Sequence, residues 1–295
     1  MTSMSAVRDV FSAPALPEKD IRDHAVYVAE AAPAERAEYV SSVGHGLWNR
    51  IYEPFPVKLG KRASRRARME NGFLHCSLTY GEVEYEPFVE IFNVLLNDGL
   101  RPGGVFVDIG CGVGKAVFAA AIGHDFDKCL GIEILQRLHD INHDDLLPRF
   151  EAHVRHDVVP ESRQHCDIEF ICGDATVLDW SEARVVFANS TCFDEALMRK
   201  LADAAGKLVP GSYVVTTTVP LPSDDFEVRH RGVLRQTWGD ATVFVNLRLE
   251  QTDDATVASG TTASGSASAL LSTSLRSLKM GASSKMSDGS SLTRM

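Results

Sequence analysis

Asp108-Ile-Gly110-Cys-Gly112-Val-Gly114 sets a carboxylate at the end of an apolar run, followed by three alternating glycines. Glycines at that spacing let the backbone turn sharply and let a ligand approach it closely. The alanine-rich run after Lys115 predicts a helix whose free N–H groups open onto the turn. A dinucleotide-binding turn has the spacing G-x-G-x-x-G and lays a pyrophosphate on the helix N-terminus. Here the spacing is shorter, and Asp108 would repel a pyrophosphate. A carboxylate there suits a ligand with a cationic centre and no phosphate. Glu133 closes a second apolar run in "GIE", where a carboxylate can accept both hydroxyls of a ribose. Asp174 follows a third run in "ICGDA", where it can accept an adenine amino group while the N–H of Ala175 faces the ring. Taken singly, each carboxylate reads equally well as an ordinary loop residue. Together, after such a turn, they fit S-adenosyl-L-methionine, which carries a sulfonium, an ammonium and no phosphate.

Alternating elements must position these groups. "GVFVDIG", "CLGIEI", "IEFICGD", "VVFANS" and "SYVVTTTVPL" read as strands. "EPFVEIFNVLLNDGL", "VGKAVFAAAIGH", "LQRLHDINHDDLLPRFEAHV" and "FDEALMRKLADAAGKL" read as helices between or before them. Strands separated by helices predict an α/β fold with a mostly parallel, Rossmann-like sheet and right-handed crossovers. "FEVRHRGVLRQTW" and "ATVFVNLRLE", joined at Gly239-Asp240, predict a terminal antiparallel hairpin. The chain divides into a flexible arm over 1–16, a small helical region over 17–77, the main domain over 78–250 and a tail over 251–295. The helical region holds two helix-like stretches that begin at Pro17 and Pro33, each with acidic residues in its first turn. The tail is dominated by Ser, Thr, Ala and Gly. It has too little apolar surface to offset its ordering entropy, and it reads as disordered.

The formal net charge of −10 argues against wholesale nucleic-acid affinity. One local exception stands out: Lys58, Lys61, Arg62, Arg65, Arg66 and Arg68 fall within eleven residues free of acids. On a helix, 61/65 and 62/66 share a face. Such a face suits DNA phosphates or an acidic protein surface, and equally a solvated face or a nuclear-import signal. No apolar run is long enough to span a membrane, and the charged N-terminal stretch predicts no secretory leader. The six cysteines are irregularly spaced with no C-x-x-C pair, which predicts reduced thiols and no zinc site. His139 and His143 are one helical turn apart. They lack the glutamate of H-E-x-x-H and read as a solvated helix face rather than a metal site.

Over about residues 52–250 the chain resembles the class I methyltransferases, and within them the disruptor-of-telomeric-silencing family of non-SET histone H3 lysine methyltransferases. The resemblance rests on "YEPF" at Tyr52 to Phe55, "LTYGEVEYEPF" at Leu78 to Phe88, "FVDIGCGVGK", "GIE", "GD" and "VFANS" at Val186 to Ser190. It implies that Tyr80, Gly81 and Glu82 form a loop over the methionine part of the donor. It implies donor contacts from Asp108, Gly110, Gly112, Gly114, Lys115, Glu133, Asp174 and Ala175, and places Asn189 at the methyl-transfer pocket. It also implies lysine N-methylation of a core position of histone H3 in nucleosomes, in the nucleus. The basic run would touch nucleosomal DNA, and no metal would be required. The chain departs from the family at Lys115, where a glutamine is common, at Ala175, where a phenylalanine is usual, and at Ser190, where a second asparagine often stands.

A lysine nucleophile must lose its proton, and only about 0.04% is neutral at pH 7 for a pKa near 10.4. An apolar channel lowers that pKa, and Phe187, Phe193 and Tyr80 are its candidate walls or, equally, plain core aromatics. Asn189 is followed by Ser-Thr-Cys rather than Pro-Pro-aromatic, so a flipped-base pocket is not indicated. Asn189 also reads as a helix cap or turn residue before "FDEALMRKL". The residues leave open a methyltransferase for a non-histone protein or small molecule, and a catalytically silent donor-binding module. From composition alone, removing 251–295 is expected to leave the melting temperature nearly unchanged. A large drop on thermal scanning would show that the tail packs on the domain.

Overall fold

The computed structural model describes residues 33–72 and 78–250. The arm, the helix expected to begin at Pro17 and the tail lie outside the described residues. All described residues fall within one compact unit. Helix α1 (Pro33–Tyr52) begins at its expected proline, α2 (Val57–Glu70) carries the basic run, and α3 (Tyr85–Asn97) precedes the sheet. Then follow β1 (Val105–Ile109), α4 (Lys115–Gly123), β2 (Lys128–Glu133), α5 (Gln136–Asp140) and α6 (Leu147–His153). The chain continues through β3 (Asp167–Cys172), β4 (Ala183–Ala188), α7 (Glu195–Ala205), β5 (Tyr213–Thr217), β6 (Phe226–Gln236) and β7 (Gly239–Arg248).

The strands form one sheet in the order β3-β2-β1-β4-β5-β7-β6. β1 to β5 run parallel, while β7 is antiparallel to β5 and pairs with β6 as a hairpin; its turn is Thr237-Trp238 rather than the expected Gly239-Asp240, which already pair with Gln236 and Arg235. This is the Rossmann-like, class I methyltransferase architecture. The chain order reverses between β1 and β4, and open α/β sheets bind ligands at the carboxyl ends of strands beside such a reversal.

The long polar helix expected after β2 is broken. α5 and α6 are joined by a π-helical turn at Ile141–Leu146. Pro148 sits at the start of α6. It has no N–H to give the carbonyl four residues back and crowds it, so the ladder widens upstream. The widened turn buries Asn142, whose Nδ2 donates to the Gly112 carbonyl at 2.8 Å.

One face of the sheet packs on α1, α3 and α4 around Phe88, Phe92, Phe106 and Phe118, with Phe88 edge-on to Phe187 at 5.0 Å. The other face packs on α7 and Trp180. α1 is fastened to the glycine turn by two long-range hydrogen bonds: Trp48 Nε1 donates to the Lys115 carbonyl at 3.0 Å, and the Tyr52 hydroxyl to the Val113 carbonyl at 2.8 Å. Tyr52→Phe keeps the ring but orphans a buried carbonyl. It is expected to lower the unfolding free energy by about 1–2 kcal/mol in urea denaturation. Trp48→Ala, which also opens a cavity, should lower it by about 3–5 kcal/mol.

Candidate functional site

β1 and β2 end on the same edge, and they bring two acids together below the glycine turn. Asp108 is 4% exposed and Glu133 5% exposed. Glu133 is held by two backbone donors, Gly112 N–H to Oε2 at 2.8 Å and Leu135 N–H to Oε1 at 2.9 Å. Burial pushes the Glu133 carboxyl up to about 7, with those N–H groups opposing the rise. Burial, and then the Glu133 charge, push Asp108 well above the ordinary carboxylate range. Asp174 lies two residues beyond β3 and is exposed. Its Oδ1 accepts from the N–H and hydroxyl of Thr176 at 2.9 and 2.8 Å.

Glu133 and Asp174 border a cavity of about 150 Å³ lined also by Tyr80, Gly81, Gly110, Gly112, Ala175, Asn189 and Phe193. A smaller pocket of about 20 Å³ shares Tyr80, Gly81, Gly110, Gly112 and Asn189, and adds Glu82, Asp108, Lys115 and Phe187. So the residues predicted from sequence converge, with one exception. Gly114 lines neither space; at φ +69° it starts α4, and a Cβ there would meet the Phe170 ring at 2.8 Å. Phe187 is a core residue at 2% exposure that touches only the smaller pocket, whereas Phe193 borders the larger one.

The loop that precedes α3 closes one side. The Tyr80 hydroxyl donates to Glu82 Oε1 at 2.6 Å. Burial first, and the Glu82 charge next, raise the Tyr80 hydroxyl far above its usual range, so it stays protonated. Glu82 Oε2 is buried without a hydrogen-bond partner, 3.5 Å from Lys115 Nζ. The Lys115 ammonium lies 4.0 Å from the Trp48 ring centre and 3.8 Å from that of Tyr52. Burial lowers its pKa, and Glu82 opposes the fall.

The residues fit S-adenosyl-L-methionine. Gly110 has φ +73° and nothing within 4 Å of where a Cβ would stand, so its backbone offers a ligand an open approach. Two buried carboxylates beside it, Asp108 and Glu133, both raised by desolvation, suit a cationic ligand. Among the described residues no group of His, Cys, Asp and Glu could hold a metal ion. His139 and His143 merely stack, 5.9 Å apart.

Several residues at the site were not singled out from sequence. Gln236 and Thr217 hydrogen-bond the Asn189 carboxamide. Trp238 lies over Gly81, where a Cβ would come 2.6 Å from the indole nitrogen. Thr237 N–H donates to the Glu82 carbonyl at 3.1 Å, tying the hairpin to the Tyr80 loop. The cap of α7 is Asp194, whose Oδ1 accepts from Leu197 N–H, so Asn189 does not serve as that cap. In α2, Gly60, Ser64 and Ala67 face inward, Ser64 onto the cavity. Lys58, Lys61, Arg62, Arg65 and Arg66 face solvent, with Arg66 paired to Glu70 and Arg68 half-buried.

A family model described as "Histone methylation protein DOT1" matches residues 69–234, more than half of the chain. A Caenorhabditis elegans protein named "Histone-lysine N-methyltransferase, H3 lysine-79 specific" is 33% identical over 147 residues, 48% of this chain and 15% of that protein. A Dictyostelium discoideum protein of the same name is 30% identical over 130 residues, 42% of this chain and 7% of that protein. The chain thus matches only a small part of each relative's length. A magnesium protoporphyrin IX methyltransferase from Synechocystis superposes over 80% of this chain and 100% of its own, at 14% identity and a TM-score of 0.42.

The raised carboxyl of Glu133 makes a stability prediction. A buried acid that titrates near 7 when folded and near 4.5 when unfolded stabilises fully at low pH, and that contribution is lost as pH rises through the folded value. Relative to the non-titrating Glu133→Gln variant, the ligand-free protein should lose up to about 3 kcal/mol between pH 4.5 and 7 in chemical denaturation.

Proposed function

The chain belongs to the DOT1 family of histone methylation proteins, and from that membership we propose that it is an S-adenosyl-L-methionine-dependent protein lysine N-methyltransferase. Its substrate on this reading is a core lysine of histone H3 in nucleosomes, in the nucleus. The observation that carries it is convergence. The matched span 69–234 contains the glycine turn, Asp108, Glu133, Asp174, the Tyr80–Glu82 loop and Asn189, and these line two adjoining pockets.

When bound, the donor supplies a methyl on a cationic sulfur. The chain's residues bind and orient it. Glu133, fixed by two backbone N–H groups, accepts ribose hydroxyls on its remaining lone pairs. Asp174 and the Ala175 N–H serve the adenine. Asp108 takes up positive charge, and Lys115, ion-paired with Glu82, faces the donor's carboxylate. Tyr80 and Phe193 keep water from the transfer point, where desolvation favours the neutral form of the target lysine. The Tyr80 hydroxyl spends its proton on Glu82, so its oxygen is free to accept from the incoming amine. Asn189 presents its carboxamide at the place where the two pockets join.

The outward face of α2 is the proposed contact with nucleosomal DNA. Lys58, Lys61, Arg62 and Arg65 are its working cations. Arg66 is partly spent on Glu70, and Arg68 is half-buried. Nucleosome methylation with a radiolabelled donor tests both parts. Activity is expected to fall steeply with salt. Arg62→Ala with Arg65→Ala should flatten the log–log salt slope by up to about two units while calorimetric affinity for S-adenosylhomocysteine stays the same. A wild type that methylates no histone, whether nucleosomal, free or as peptide, overturns the substrate reading.

A further inference from the structure

Asn189 stands at the junction of the two pockets, yet its carboxamide is held from behind. Its Nδ2 donates to Gln236 Oε1 at 2.7 Å, and Gln236 Nε2 returns a bond to Asn189 Oδ1 at 3.1 Å. Thr217 Oγ1 adds a third bond to that oxygen at 3.2 Å. Gln236 is 3% exposed and borders neither pocket. It ends β6, and its backbone bridges to Val83 just past the Tyr80 loop. The backbone at Asn189 is pinned as well. Ser190 Oγ donates to the Thr217 carbonyl at 2.8 Å and accepts from the Thr217 N–H at 3.0 Å.

A reciprocal amide pair has two consequences. It satisfies the buried carboxamide of Gln236 and the half-buried one of Asn189 at once, and the buried one would be costly alone. It also selects one orientation of the Asn189 amide. The carbonyl oxygen already has two donors and one Nδ2–H is in use, leaving the other N–H without a partner among the described residues. We propose that Gln236 is a positioning residue for methyl transfer, acting through Asn189 rather than on the reactants. This rests on the reading of Asn189 as the methyl-transfer asparagine. The Ser190 departure from the family fits the same device, because Ser190 serves the β5 backbone and Gln236 becomes the amide neighbour of Asn189.

The discriminating variant is Gln236→Glu. As a neutral acid, glutamic acid has one O–H donor and one carbonyl acceptor where glutamine has N–H and carbonyl, so the pair survives. Ionised, it has no donor for Asn189 Oδ1. A glutamate so deeply buried titrates well above the usual carboxylate range. The ratio of variant to wild-type kcat on nucleosomes should therefore be near one at low pH and fall about tenfold or more as pH rises, with the KM for donor unchanged. Gln236→Leu should show the reduced kcat at every pH, with S-adenosylhomocysteine affinity retained by calorimetry. A merely structural role would not give the variant its own titration, so a pH-independent ratio overturns the proposal.

A second readout does not need activity. The side-chain NH₂ of Asn189, assigned by its loss in Asn189→Asp, should exchange slowly with solvent in the wild type and fast in Gln236→Leu. If the wild type methylates no histone, the substrate reading fails and this arm alone decides. Protection lost in Gln236→Leu supports the pairing, and free-amide exchange in the wild type overturns it.

Discussion

The buried ammonium of Lys115 is the contact on which the rest of the site leans. A desolvated cation is unstable without compensation. Here two aromatic faces and a carboxylate supply it: Trp48 and Tyr52 from α1, and Glu82 from the loop before α3. The same two aromatic residues give their polar hydrogens to the backbone carbonyls of Lys115 and Val113. One side chain thus joins three segments far apart in sequence, and the glycine turn has a wall only because they meet. The loop is braced further by Tyr80, by the Gly81–Trp238 contact and by the Glu82 carbonyl. Removing the cation would leave the buried Glu82 charge with only the Tyr80 hydroxyl for a partner, which is the costlier error.

Beside that contact stand two acids whose charges the fold disfavours. Asp108 and Glu133 are both buried, both raised by desolvation, and Glu133 adds its charge to the rise at Asp108. Gly112 of the turn and Leu135 bring backbone N–H groups to the Glu133 carboxylate, while among the described residues no such donor reaches the Asp108 side chain. A cationic ligand would favour the ionised form of both acids, while a pyrophosphate would add to the repulsion.

What was legible in sequence is what is local. The strands, the glycine turn, the terminal hairpin and the acids at the strand ends each announce themselves within a few residues, because strand alternation and turn chemistry have short periods. The partners were not legible. Gln236 is 47 residues from Asn189, and Tyr52 is 61 from Val113; no period links them, and only the register of β6 and the docking of α1 bring them in. The π-turn after α5 was hidden for a different reason. Pro148 was visible, but its cost falls on the turn upstream, and Asn142 gains a bond to Gly112 from the widened ladder. Lys115 shows both limits. Its place in the turn could be read, but not the aromatic faces that make a buried lysine tolerable there.

Helix α2 extends the argument to the substrate. Its start is poorly furnished: Pro56 offers no side-chain cap, and the first turn carries no acid. Lys58 there opposes the helix dipole, at a cost of about 0.3–1 kcal/mol. Lys58/Arg62, Lys61/Arg65 and Arg62/Arg66 are like charges one turn apart, each unfavourable by about 0.2–0.5 kcal/mol. Against this stand Arg66–Glu70, Arg68 in the last turn, and the buried face of Gly60, Ser64 and Ala67. Gly60 lets the helix approach so closely that a Cβ would lie 2.1 Å from the Tyr80 hydroxyl. So the helix is held by its inner face and strained by its outer one. A polyanion along the outer face would relieve that repulsion, and nucleosomal DNA is the polyanion the proposed substrate brings. Because the inner face touches Tyr80 and the cavity, any such relief acts on a helix that is itself part of the cavity wall.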